Sequence, residues 1–247
     1  GTAVGTFFTG SPFTVNKTAI MDLSSPVIST WDSPWRGLEA LAQPHAVLLG
    51  LALVGLTVIL GCLYLLNNIN DTETETQMRR TIKITAVPFL VIFLVWLGIL
   101  LTKEGFAVDA SGTVVMEKYK YLHNLIQMPA VLIMVLIGVV GVLASIWMGG
   151  FTKSTKGIWF GGIGTVLVVM AVFFIAGFNG TSYYPSHTDI QSSLTLANSS
   201  SSKFTLQVMS IVSLLIPFVL AYIVYAWHQM DKKKITEDEI AQSEHKY

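Results

Sequence analysis

Residues 157–178 read GIWFGGIGTVLVVMAVFFIAGF, a run of apolar and small residues without a charged side chain. The hydrocarbon core of a bilayer is about 30 Å thick, so a helix that rises 1.5 Å per residue needs about 20 such residues to cross it. In lipid a helix satisfies its own backbone hydrogen bonds, which favours a helix over a strand. This stretch is therefore predicted to span a membrane.

Four further stretches have the same length and character. Only Lys83, near the start of the second span, is charged, and its long side chain can reach the membrane interface. The sequence thus predicts an all-α, polytopic transmembrane helix bundle, with an outer segment at residues 1–43 and a cytoplasmic tail at residues 228–247. The five predicted spans are Pro44–Leu66, Ile82–Leu101, Met128–Trp147, Gly157–Phe178 and Phe204–Trp227.

The overall charge agrees with a membrane protein and excludes a nucleic-acid partner. Charged residues make up 12% of the chain, against about 25% in soluble domains. The net charge is zero, so no excess of basic side chains points to DNA or RNA.

Lysine and arginine are distributed unevenly between the two sides of the predicted bundle, and such residues concentrate in cytoplasmic loops. The outer side carries fewer of them over about twice the chain length, so the C-terminus is predicted to be cytoplasmic. The residues that follow spans one, three and five are Arg79, Arg80, Lys153, Lys156, Lys232, Lys233, Lys234 and Lys246.

Small residues recur at four-residue spacing in spans three and four. The pair Gly141/Ser145 and the series Gly157/Gly161/Thr165 would permit close helix approach. The alternative is that small residues are simply common in membrane helices.

Two short segments outside the spans also carry a prediction. Ser33-Pro34 resembles a helix cap and first turn, followed by apolar residues at helical spacing, which indicates a short helix on the outer surface. An extension of span one explains the same pattern. Further along, Asn198 to Ser201 can hydrogen-bond nearby backbone and fix the loop before the last span.

No residue in the sequence is predicted to be catalytic, cofactor-binding or metal-ligating. The histidines lack the i, i+4 spacing of metal ligands, so each is interpreted as interfacial or solvated. The outer loop that contains Glu104, Asp109 and Glu117 and the lysines Lys103, Lys118 and Lys120 is interpreted as a solvated mixed-charge loop. Cys62 is interpreted as a small lipid- or helix-facing residue, and three methionines as gap-fillers in helix interfaces. These histidines are His45, His123, His187, His228 and His245, and the methionines are Met128, Met134 and Met148.

An ordered series of residues resembles subunit II of the cytochrome bd-type quinol oxidases, in its C-terminal portion. The series runs through Pro185-Ser186, Ser193-Leu194-Thr195, Asn198-Ser199-Ser200-Ser201, Thr205-Leu206, Met209 and Tyr222, and then the tail segment 234–240. The stretches Gly5 to Phe13 and Gln77-Met78-Arg79 are similar to the middle of the same subunit. The N-terminus, which lacks an initiator Met, is likewise expected to be the end of an earlier apolar segment.

The resemblance implies a fold and a set of partners. The chain would form the second four-helix bundle and the closing helix of the family fold, in the bacterial cytoplasmic (inner) membrane. It would pair with the haem-bearing subunit I, which holds haems b and d and oxidises quinol from the quinol pool, while this chain binds no haem. A small single-span subunit, membrane lipid, and a structural quinone or lipid within this chain are further expected partners.

Two alternative functions are weighed against the residues. A fragment of a secondary transporter would have Gly/Pro-broken helices with polar groups at the midplane, whereas the deep prolines Pro88 and Pro217 have no polar cluster beside them. The other alternative is a structural accessory subunit of a different complex.

Overall fold

The structure is a computed structural model that describes residues 1–16 and 28–230. The predicted cytoplasmic tail, the tail segment 234–240 and His245 therefore lie outside the described residues, apart from residues 228–230.

Five helical segments are long and apolar enough to cross a membrane, which confirms the predicted all-α polytopic bundle. They are α2 (Pro44–Asn68), α3 (Thr72–Thr102), α5 (Pro129–Phe151), α6 (Gly157–Gly177) and a last length, Lys203–Met230. Shorter helices are α1 (Thr2–Thr9), α4 (Lys120–Gln127) and α7 (Leu196–Ser199).

Helix α3 begins ten residues before the predicted span. Asp71 caps it, because its carboxylate accepts hydrogen bonds from the Thr74 amide at 2.7 Å and the Glu73 amide at 3.3 Å. Glu73 and Glu75 in the first turn further favour this start through the helix dipole. The first part of α3 is therefore a polar helical segment that precedes the apolar span.

The bundle is held together by two apolar clusters between antiparallel helices. One lies toward the short connections 69–71 and 152–156, and includes Ile59, Leu63 and Ile82. The other lies at the opposite end and includes Phe8 and Trp96, both fully buried. Helix α1 thus contributes to the core of the bundle through Phe8.

The last apolar length consists of two helices, α8 (Lys203–Ser213) and α9 (Ile216–Met230). Pro217 has no backbone N–H and cannot bond the carbonyl of Ser213, which explains the break at Leu214 and Leu215. Among the described residues, none in α8 or α9 is buried. This segment therefore presents nearly all its apolar side chains outward.

Three small antiparallel sheets gather at one end of the bundle, here called the strand-bearing end, where α2 begins and α3 and α6 end. The sequence analysis did not predict them. They pair β1 (Phe13–Val15) with β2 (Ser29–Trp31), β3 (Glu104–Val108) with β4 (Val114–Lys118), and β5 (Ser182–Tyr184) with β6 (Leu194–Thr195).

The predicted surface helix after Ser33-Pro34 differs from the structure. Residues 34–37 form turns, in which Arg36 (φ 47°) and Gly37 (φ 101°) have left-handed backbones that a right-handed helix cannot contain. A short 3-10 helix follows at Leu38–Ala42, and the extended Gln43 separates it from α2. The short helix before Pro44 is therefore present but begins later than predicted, and the alternative of a continuous extension of span one is wrong.

The Asn/Ser-rich loop has the hydrogen bonding that its sequence predicts. Thr195 and Asn198 form a reciprocal capping box at α7, and the Asn198 amide also donates to the Ser193 carbonyl at 2.9 Å. Ser200, in contrast, is exposed, and its hydroxyl donates to the carbonyl of Leu196.

Candidate functional site

Buried polar side chains concentrate at the strand-bearing end, around the C-terminus of α1. The Phe8 carbonyl, one of the last in this helix, accepts a hydrogen bond from Lys103 Nζ at 2.6 Å and a weaker one from the Tyr121 hydroxyl at 3.4 Å. A cation at a helix C-terminus is favoured by the helix dipole. Lys103, which directly follows α3, thus joins α3 to α1.

The environment of Lys103 is largely shielded from water. Burial lowers the pKa of its ammonium group to about 8. The expectation of a solvated mixed-charge loop is therefore wrong for Lys103. It is also wrong for Lys120, whose buried ammonium donates to the Asn179 carbonyl at 3.1 Å and lies 3.3 Å from a Glu117 carboxylate oxygen.

His45 is buried rather than solvated, which corrects its interpretation from sequence. Its ring is stacked on the indole of Trp96, with centroids 5.5 Å apart and planes 25° apart. Only 9% of His45 is exposed, and Trp96 is fully buried. Neither ring nitrogen of His45, nor the indole nitrogen of Trp96, has a hydrogen-bond partner among the described residues.

The remaining described histidines lie apart from this pair. His123 is exposed and hydrogen-bonds Glu117 at 2.8 Å, which lowers the pKa of that carboxyl. His187 is a loop residue whose surface is largely exposed, and its Nε2 lies 3.5 Å from the Gln43 amide nitrogen. The partial loss of water around its ring, and then the Lys103 charge, lower its pKa. His228 is exposed in α9, so these three agree with the solvated or interfacial interpretation.

Within residues 1–16 and 28–230, no group of three or more His, Cys, Asp or Glu side chains could hold a metal ion. Cys62 is buried among the apolar residues of α2 and α3 and faces neighbouring helices. Met128 and Met134 pack against the cluster that contains Trp96, as expected for gap-filling side chains.

Two other polar centres were missed by the sequence analysis. Asn124, fully buried in α4, donates to the Ile175 carbonyl at 2.8 Å and to the Thr181 hydroxyl at 2.7 Å. At the opposite end of the bundle, Arg79 is paired with Glu75 at 2.7 Å and donates to carbonyls at the end of α5, including Gly149 at 2.8 Å. Their main-chain carbonyl partners are distant in sequence, so only the Glu75–Arg79 pair, at i, i+4, has a local signal.

The arrangement is that of a scaffold. Lys103, Asn124 and Arg79 each join the end of one helix to another element by hydrogen bonds to main-chain carbonyls. Burial raises the pKa of the Tyr121 phenol, so this group stays neutral beside the Phe8 carbonyl. The His45–Trp96 pair differs, because its polar atoms are not used in such contacts.

Comparison with known proteins identifies one family. The sequence profile of the cytochrome bd terminal oxidase subunit II matches residues 1–230. No curated protein matches the chain.

Proposed function

Because the chain belongs to the cytochrome bd terminal oxidase subunit II family, we propose that it is the non-haem subunit of a quinol:O2 oxidoreductase and the scaffold of the haem-bearing subunit I. In this proposal subunit I holds haems b and d and oxidises quinol. Electrons pass to O2, and the complex contributes to a proton gradient across the bacterial inner membrane.

The family match over residues 1–230 is the observation that carries this proposal. The described side chains support a scaffolding role, since their buried polar groups mostly bond main-chain carbonyls. A haem iron requires an axial ligand such as His or Met, buried where the macrocycle can pack. His45 is buried and is stacked on Trp96 between α2 and α3. His228 lies near the C-terminal end of α9, far along the chain from His45 and exposed.

The exposed apolar surface of α8 and α9 is available to lipid or to another subunit. In the proposed orientation, the strand-bearing end faces outward and the short connections 69–71 and 152–156 face the cytoplasm. The uneven distribution of lysine and arginine supports this orientation.

Co-purification tests the proposal directly. The affinity-tagged chain, expressed with its native operon in the source bacterium, should bring down a haem-bearing partner that oxidises quinol and consumes O2. The same chain expressed alone should give no stoichiometric haem signal in a reduced-minus-oxidised visible spectrum.

Two results would contradict the proposal. A tagged chain that recovers no haem protein would instead favour a transporter fragment or an accessory subunit of another complex. A haem signal from the chain alone that disappears in His45→Ala, but not in His123→Ala, would place a haem ligand in this subunit.

A further inference from the structure

Large apolar side chains are exposed outside the membrane-spanning helices, in the segment that leads into α2. Trp35, Leu38 and Leu41 are 65%, 59% and 66% exposed. They belong to the turns at residues 34–37 and to the short 3-10 helix that follows, and together they are here called the Trp35 surface. A group of apolar side chains on an exposed loop indicates a surface that another molecule covers.

The local structure holds these side chains outward. The 3-10 helix packs against α1 and α2, and its Ala40 is buried. Gly37 has a left-handed φ of 101°, and the Trp31 ring lies against it, since a methyl group added at Gly37 would be 3.4 Å from a carbon of that ring. Glu39 accepts a hydrogen bond from the Gly37 amide at 2.7 Å, so its carboxylate turns back toward the chain. The segment is therefore a fixed part of the fold.

The position of the Trp35 surface in the chain places it at the boundary of the membrane. Leu41 is three residues before Pro44, the first residue of the membrane-spanning α2, so its Cα lies within about 11 Å of the start of that helix. At the same end of the bundle Phe178, the residue that follows α6, is 48% exposed. Tryptophan rings are enriched at this level of a bilayer, and an exposed arginine such as Arg36 can extend from there to lipid phosphates.

We propose that the Trp35 surface is a lipid-docking site in the leaflet where α2 begins. Trp35, Leu38 and Leu41 enter the boundary between the lipid headgroups and the acyl chains, with Arg36 at the level of the phosphates. Removal of the apolar side chains from water drives the insertion. Because the segment packs on α1 and α2, the site fixes the depth of the strand-bearing end in the bilayer. This inference depends on α2 crossing the membrane and not on the identity of the partner subunit.

The size of the Trp35 surface favours lipid over a protein partner. A stable protein–protein interface takes about 20–30 residues on each side, with a buried apolar centre. The Trp35 surface presents three large apolar side chains beside the charged residues Asp32 and Arg36, both of which are exposed. Insertion into a lipid interface needs only a few apolar side chains, while the charged ones remain among the headgroups.

A polarity-sensitive fluorophore attached at Leu38→Cys tests the proposal in the assembled complex, reconstituted in phosphatidylethanolamine and phosphatidylglycerol vesicles after the other accessible cysteines have been replaced. We expect blue-shifted emission. We also expect a nitroxide lipid labelled near the carboxyl end of its acyl chain to quench the emission about twofold more than one labelled near the terminal methyl group. Thr188→Cys, an exposed loop site at the same end of the bundle, is the matched control and should give water-like emission with little quenching by either lipid.

Two results would overturn the lipid-docking site. Water-like emission at Leu38→Cys, equal to that of Thr188→Cys, would show that the surface stays in solvent. Blue-shifted emission that neither nitroxide lipid quenches would show that a protein partner covers it. Leu41→Cys is a second labelling site on the same surface, so the same criteria apply there if Leu38→Cys does not assemble.

Discussion

At the scale of single residues, the ends of the helices are joined by long cationic side chains that reach main-chain carbonyls. Arg79 and Lys103 both act in this way, at opposite ends of α3. The carbonyls at a helix C-terminus have no partner within the helix, and a cation there satisfies the hydrogen bond and the dipole together. Their hydrogen bonds therefore join the ends of neighbouring helices, in addition to the role of these residues at the membrane interface.

Replacing Arg79 by Ala should destabilise the bundle, because the carbonyls at the end of α5 lose their donor. Its side chain is 14% exposed, and hydrogen bonds of this charged type contribute about 1.5–3 kcal/mol. We expect a decrease of several degrees in the melting temperature of the purified complex. Arg80→Ala, at the exposed neighbouring position, is the control and should change it little. An equal decrease in both variants would mean that only the net charge matters.

The lowered pKa of Lys103 predicts a pH dependence of stability. The pKa is about 8 in the folded protein and near 10.5 for an ordinary lysine, so between these values the unfolded state binds more protons. The contribution of Lys103 to the free energy of unfolding should therefore increase as the pH rises from about 8 to 10.5, and it should be constant below pH 8.

Melting temperatures measured from pH 7 to 10 check this contribution. Lys103→Met should flatten the rise, whereas Lys118→Met, at an exposed site of the same loop region, should leave it unchanged. A rise of the same slope in Lys103→Met would assign it to other groups.

At the scale of helices, close packing of α5 on α6 follows the small residues that the sequence singled out. A methyl group added at Gly161 would lie 3.0 Å from Ser145 Oγ, and one at Gly141 would lie 3.1 Å from the Phe160 carbonyl oxygen. The predicted close approach is thus confirmed for these positions. Gly138 and Gly164, which the sequence analysis did not select, are tighter still.

The Gly164→Ala substitution should weaken this helix pair. The added methyl group would lie 2.7 Å from the Gly138 carbonyl oxygen and 2.9 Å from the Val142 nitrogen, both of which are backbone atoms that cannot move aside freely. Overpacking of this kind costs about 1–3 kcal/mol. The measurement is the melting temperature and yield of the assembled complex.

Gly162→Ala is the matched control, because an added methyl group there meets no atom within 4 Å. It should be neutral or slightly stabilising, since alanine is the better helix former. Equal losses for Gly162→Ala and Gly164→Ala would show that another subunit or lipid also packs tightly against Gly162.

A feature of the fold could be predicted from the sequence where residues close together in the chain determine it. Apolar length fixes the spans, and the spacing of Gly157 and Gly161 predicts a packed face. The β3–β4 hairpin has no comparable signal, since its strands are short. The burial of His45 depends on Trp96, which is 51 positions away, and on α1 and α4 closing over the helix ends. Such contacts arise only when the chain is folded.

At the scale of the whole molecule, the two ends of the bundle differ in construction. The strand-bearing end has three small sheets and buried polar contacts such as those of Asn124, Lys103 and Lys120. The opposite end has connections of three and five residues, 69–71 and 152–156, between long helices. Basic residues lie in or near the short connections, at Lys153 and Lys156 and at Arg79 and Arg80 in the first part of α3. Such an excess of basic residues beside short connections is typical of the cytoplasmic side of a membrane protein.

This asymmetry predicts the topology of the protein in its membrane. Reporter fusions after Asn70, Lys153 and Met230 should report the cytoplasm, and fusions after Asp109 and Thr188 should report the outer side. Asp109 is at the tip of the β3–β4 hairpin and Thr188 is an exposed loop residue, so an inserted reporter disturbs little packing at either site. Five consecutive membrane-spanning helices would alternate in direction, so a single orientation predicts the result at all five fusion sites. The inverted pattern at every site would refute the orientation inferred from lysine and arginine, whereas a mixed pattern would mean that one of the five lengths does not cross the membrane.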